Sequence, residues 1–152
     1  MSFMNIESIV GLGLVAVGIA IALWGASRPN RIELNGESLT IKGNYSHTIA
    51  ICDIESVVLA DKLPEIVLRT NGIGFRHIKV GHFRLKGTGK CRLYVNLRYP
   101  PYVHIVTVTG EHVFFNTPDP DYTRELYNTL ISSRNQCLGD SKNIGNRDTN
   151  KG

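Results

Sequence analysis

Apolar and polar positions divide the chain into three stretches of different character. From Ile9 to Ala26 the text is IVGLGLVAVGIAIALWGA, without a charge and with the Trp24 indole as its only strong hydrogen-bonding side chain. Eighteen such residues are about the length a helix needs to cross the hydrocarbon of a bilayer, and only a helix pairs all its backbone groups there unaided. The pattern predicts a transmembrane helix over 9–27, preceded by a short segment 1–8. That segment, MSFMNIES, holds no Lys or Arg, so it lacks the basic n-region of a cleaved signal. Arg28 and Arg31 follow the run, which by the positive-inside rule places the rest of the chain in the cytoplasm of a single-pass protein. Gly18, Ala22 and Ala26 recur at a spacing that lets membrane helices approach closely.

After Pro29 the period changes to two. Arg31–Leu34 and Leu39–Ile41 flank Asn35-Gly36 and read as a hairpin. Tyr45–Ile51 alternates as a half-buried strand does. Asp53–Pro64 fits either a capped helical turn or, through Ser56–Ala60, a strand. Phe75–Leu85 reads as a strand with a bend or bulge at Gly81, and Lys86-Gly87-Thr88-Gly89 as a turn. Cys91–Leu97 alternates again, Tyr99-Pro100-Pro101-Tyr102 interrupts the pairing, and Val103–Thr109 with His112–Asn116 forms a hairpin about Gly110-Glu111.

The third stretch has a period near 3.6. Thr117-Pro118-Asp119-Pro120-Asp121 supplies cap and first-turn residues, and Tyr122, Leu126 and Leu130 share one face of a helix ending near Arg134. The polar, glycine-rich residues 135–152 predict a disordered tail. The expected domain, 30–134, is thus mainly β: about seven strands curled into a barrel or sandwich and capped by a carboxy-terminal helix.

Charge sharpens this outline at one place. The net charge is +4, yet residues 69–98 hold eight Lys or Arg and no Asp or Glu. Arg76, Lys79, Arg84, Lys86, Lys90 and Arg92 are therefore the candidate contacts to an anionic surface. The alternative is that these charges keep a sheet soluble and guard its edges. Beside a membrane, each basic residue near anionic lipid contributes about 1 kcal/mol.

Candidate chemistry is sparse. Lys86-Gly87-Thr88-Gly89-Lys90 lacks the spacing of a phosphate loop, having Arg84 where the first glycine belongs and Cys91 where Ser or Thr belongs. The turn Gly72-x-Gly74-x-x-His77 lacks the third glycine of a dinucleotide site. His47, His77, His82, His104 and His112 show no ligand spacing, so neither metal nor cofactor is expected. Cys52, Cys91 and Cys137 are odd in number and without framework spacing, which argues against a disulfide and fits a reducing compartment; Cys52 and Cys91 read as small buried residues. Asn44-Tyr45-Ser46 is a glycosylation sequon that matters only in a secretory lumen. No triad text supports catalysis, and the aromatic pattern of an RNA-binding sheet is missing.

The segments 53–64, 70–95 and 103–120, with their NG-G-G…G-F…G-G-K spacing, last hairpin and capping helix, resemble the bacterial pleckstrin-homology (PH) domain family over about residues 31–134. The resemblance implies a PH-like barrel or sandwich beside one or more membrane helices. It implies no ligand, and no site is carried over from it. The expected function is a membrane-anchored, non-catalytic module binding a protein partner or itself, with anionic lipid or phosphate headgroups on the 76–92 stretch as the alternative and nucleic acid excluded.

Overall fold

The computed structural model describes residues 30–145 and, before them, Val15. The expected transmembrane helix 9–27 and segment 1–8 lie outside the described residues, as does the end of the tail, 146–152. No helix among the described residues is long and apolar enough to cross a membrane.

Nine strands form two antiparallel-rich sheets, where about seven strands in a barrel or sandwich were expected; the described residues close no barrel. The small sheet is a meander of β1 (Arg31–Leu34), β2 (Ser38–Lys42) and β3 (His47–Ala50). Its first turn is fixed by Asn35, whose side-chain oxygen accepts from the Glu37 and Ser38 amides at 2.9 and 2.7 Å. A 3-10 turn, Ile51–Asp53, leads into β4 (Ile54–Ala60), which settles the ambiguous segment as a strand. The β-branched run there packs well on a pleated surface.

The large sheet adds β5 (Ile66–Phe75), β6 (Ile78–Leu85), β7 (Gly89–Asn96), β8 (Tyr102–Thr107) and β9 (His112–Phe115), in the order β4-β8-β9-β7-β6-β5. The β9–β7 pairing is parallel, because β9 turns back beside β8 and fills the place next to β7. Asn116 holds that junction. Its side chain accepts from the Asn96 amide at 2.8 Å and donates to the Asn96 and Tyr99 carbonyls at 2.9 and 2.6 Å. The Pro100-Pro101 peptide within this crossing is cis.

Alternation along the strands gives the large sheet two apolar faces. Val80, Tyr94, Val103, Ile105, Val113 and Phe115 pack with Leu39, Ile41 and Ile49 of the small sheet. Phe83, Leu85, Cys91, Leu93, Val95, Tyr102 and Phe114 cluster on the opposite face. Gly81 sits opposite Gly72 in the β5–β6 ladder with φ +118°, and a Cβ there would lie 2.5 Å from the Asn71 carbonyl oxygen and 2.6 Å from the Gly72 Cα. The bulge expected at Gly81 is instead on β5, where the register shifts between Arg69 and Asn71.

The helix, α1 (Pro120–Gly145), starts as expected. Asp119 Oδ1 accepts from the Asp121 amide at 2.9 Å, an ordinary N-cap. Thr123, Leu126 and Leu130 are buried, and the last two join the inter-sheet core. The helix then continues eleven residues past Arg134, through most of the expected disordered tail. Within this extension Cys137 is bonded to Cys52 in the 3-10 turn, with Cα atoms 5.7 Å apart. Expecting no disulfide was therefore incorrect, and Cys52 is exposed rather than buried. The bond also removes the cysteine argument for a reducing compartment. Cys91 is free and buried. Beside the disulfide, the Arg134 guanidinium donates to the Ile54 carbonyl at 2.9 Å and to that of Glu55. It thereby occupies two backbone acceptors at the start of β4, one of the two edges of the large sheet.

Candidate functional site

The six basic residues singled out from the sequence do not form one surface. Arg76 lies in the β5–β6 turn with φ +47°, its guanidinium 5.9 Å from the Phe75 ring centre, and its carbonyl accepts from Lys79 Nζ at 2.8 Å. Arg84 and Lys90 stand opposite each other at the other end of the β6–β7 ladder, both exposed. Six residues of strand, about 20 Å, separate Arg84 from Ile78 at the Arg76 end. Lys86 pairs with Glu65 at 3.3 Å, an exposed ion pair of small energetic weight. Arg92 is turned inward and bound to Glu111 through its Nε.

That last pair belongs to a cluster the sequence did not show. His82 and Arg92 are ladder partners on β6 and β7, and the Nη1 of Arg92 is 3.5 Å from His82 Nε2. Glu111 comes from the β8–β9 turn, and its second oxygen is 3.1 Å from the Nε2 of His47 on β3. The cluster ties the small sheet to the large one at the mouth of the apolar gap between them. Tyr94, one layer deeper, donates to the Tyr45 carbonyl at 2.6 Å. A cleft of about 680 Å³ opens here, bounded by Thr70 and Asn71 of the β5 bulge, His82, Lys90, Arg92 and Glu111.

The electrostatics of the cluster are those of a clasp. Burial works against charge on Glu111, but the hydrogen bond from Arg92 and the cationic neighbours outweigh it and hold the carboxyl below its ordinary value. Burial likewise opposes the Arg92 charge, and the Glu111 contacts prevail and raise it. His47 is shifted down, because burial exceeds the attraction of a carboxylate already engaged by Arg92. On the opposite face His104 is also shifted down, by burial and by neighbouring His112. The Cys91 thiol is pushed up to about 11 by burial, which leaves it protonated and unreactive near neutrality.

These directions set a pH dependence. His47 and His104 have folded values below 6.5, so the unfolded chain binds more protons and stability falls as pH drops below that value. Glu111 adds stability that is present above its ordinary value and lost as pH falls through its lowered one. Urea midpoints are expected to hold from pH 7.5 to about 6.5 and to decline from there to pH 5, and the decline to flatten in the His47→Gln/His104→Gln double variant. A flat wild-type profile over that range would remove both histidines from the account.

The elements that make this cleft span β3 to the β8–β9 turn, and a protein-family model described as a bacterial PH domain matches residues 30–119. No curated protein and no solved structure matches the chain.

Proposed function

The chain belongs to the bacterial PH-domain family, and from that premise we propose that it is a self-association module which adds the β5 edge of one copy to the β5 edge of another. PH domains are typically non-catalytic interaction modules. The observation that carries the reading is the β5 edge itself. β5 is ten residues long, pairs only with β6, and exposes Val67, Leu68 and Phe75 by 59, 53 and 55%. At the β4 edge Arg134 takes up the Ile54 and Glu55 carbonyls beside one register shift, whereas β5 carries two register shifts and the single charge of Arg69. A long edge with apolar side chains is a template for another strand. Antiparallel pairing of two copies would extend the sheet across both. In this proposal the apolar segment 9–27 holds the module at a membrane, where restriction to a surface raises the effective concentration of a weak interface.

A second reading rests on Arg84 and Lys90, which face solvent together and have no carboxylate within ion-pair distance among the described residues. It makes that end of β6–β7 a contact for anionic headgroups. One pair of variants separates the two. Val67→Lys/Phe75→Lys is expected to convert a self-associating full chain in detergent to a monomer by sedimentation equilibrium, while Arg84→Glu/Lys90→Glu leaves association unchanged. A wild-type chain that stays monomeric at every concentration defeats the edge reading. Salt-sensitive binding to anionic vesicles that is abolished by Arg84→Glu/Lys90→Glu would favour the second.

A further inference from the structure

One end of the large sheet gathers the β5–β6 turn, the β7–β8 connection and the start of α1. Phe75 pairs with Ile78 across the turn Arg76-His77, and Ile78 pairs with Asn96 at the end of β7. The Leu97 amide donates to the His77 carbonyl at 2.8 Å. Asn116, just past the end of β9, donates to the Asn96 and Tyr99 carbonyls. Thr117 follows, and it lines a cleft of about 490 Å³ together with Asn30 and Arg31. The chain therefore enters the domain at this same end. From residue 27, where the apolar segment closes, three residues lead to Asn30, a reach of about 11 Å at most. Arg84, Lys90 and the Glu111 cluster lie at the other end of the strands.

From this arrangement we infer that the β5–β6 turn is a second contact to the membrane: Phe75 enters the boundary between headgroups and acyl chains of an anionic leaflet, while Arg76, Lys79 and Arg98 meet the lipid phosphates. The inference rests on the reading of segment 9–27 as a membrane anchor. It does not use edge pairing, because lipid takes the side chains of the turn and leaves the backbone edge of β5 free. An exposed apolar side chain is by itself ordinary. Phe75 differs by its place and its company. It stands 55% exposed at a hairpin tip, with the Arg76 guanidinium 5.9 Å from the ring centre and Arg98 exposed on the adjoining connection. Arg76 holds φ +47°, a left-handed value uncommon outside glycine, and Lys79 Nζ donates to its carbonyl at 2.8 Å, which steadies the tip. No Asp or Glu occurs from 66 to 110. Asp119 and Asp121 lie near the chain entry, but the first caps α1 and the second pairs with Arg124 at 3.4 Å. Asp61 follows β4, four strand spacings or about 19 Å from β6. An apolar side chain flanked by cations binds an anionic leaflet through buried area and charge attraction together. The anchor keeps the tip at high effective concentration, so a weak contact is enough.

The test uses the full chain in nanodiscs of phosphatidylcholine, with and without phosphatidylglycerol. A lipid carrying a nitroxide on its headgroup broadens the NMR signals of amides that approach the surface. In anionic discs the amides of 74–79 and 97–99 are expected to broaden several-fold more than those of 84–90. The effect should fall in neutral discs, at high salt, and in the variants Phe75→Ser and Arg76→Glu/Arg98→Glu, with circular dichroism confirming each fold. It should persist in Val67→Lys, which alters the β5 edge alone. The wild-type arm requires no variant, so a misfolded substitution does not shelter the proposal. Equal broadening at both ends of the strands, stronger broadening at 84–90, or a wild-type pattern indifferent to lipid charge would overturn it. A chain that does not co-elute with the discs would overturn the anchor premise and the proposal with it. Self-association is read separately by sedimentation, so failure of the edge reading and failure of the tip contact are told apart.

Discussion

Replacing Gly81 by alanine is expected to cost the domain about 3 kcal/mol or more, the sum of a positive-φ strain and an unrelieved contact. The residue has φ +118°, and its added Cβ would meet backbone on the facing strand at 2.5 and 2.6 Å. Backbone cannot rotate away as a side-chain end can. Relief would require β5 and β6 to part at the place where Gly72 and Gly81 are ladder partners. For a domain of this size the midpoint of thermal unfolding should fall by more than about 10 °C. Alanine at Gly87, which has space around it and φ +78°, bears the conformational penalty alone and should cost much less. Equal losses for the two variants, read from urea titrations, would show that the close approach contributes nothing.

The second large effect concerns the Cys52–Cys137 bond, which closes a loop of 85 residues. Chain entropy sets a figure of about 4.5 kcal/mol for such a loop, and native disulfides of small domains commonly contribute about 2–5 kcal/mol. Reduction, or Cys52→Ser with Cys137→Ser, should lower stability by an amount in that range. It should also release the end of α1. From Asn135 to Asn143 no side chain is buried and only Cys137 is packed against the core, so amide exchange over this segment should become fast while Leu126 and Leu130 stay protected. A reductant that leaves both the melting point and this exchange pattern unchanged would remove the bond from the stability account. Thiol labelling in cells reads the compartment as well. The pair resists the label on an oxidising side of the membrane and takes it up in a reducing cytoplasm.

Local signals carried what could be seen in advance. Asn35-Gly36 announced the β1–β2 hairpin and Gly110-Glu111 the β8–β9 hairpin, and both form with neighbouring strands in register. The cap at Asp119 announced α1. β5 went unseen because it is an edge strand with two register shifts and mostly exposed residues, so neither alternation nor an apolar run marks it. The parallel β7–β9 pairing has no local signature, since it follows from the crossing that Asn116 pins. Within the candidate cleft, Lys90 and Arg92 stood out by charge. Glu111 and His47 did not, because 64 residues separate them and only the fold makes them neighbours. Basicity along the chain was a poor guide to convergence in space, for the β5–β6 hairpin holds Arg76 at its turn and Arg84 at its opposite end.

The covalent ring that joins Cys52 to Cys137 has a mechanical meaning. A pull applied between residue 30 and residue 145 travels along β1–β3 to Cys52, crosses the sulfur bridge, and leaves through the last turns of α1. All six strands of the large sheet lie on the bypassed side of that path. About 290 Å of contour length, 85 residues at about 3.4 Å each, is thereby withheld from extension. Tension would peel the three-stranded meander, drawing His47 away from Glu111, and spare the large sheet with its β5 edge. Under reducing conditions the same pull would reach every strand.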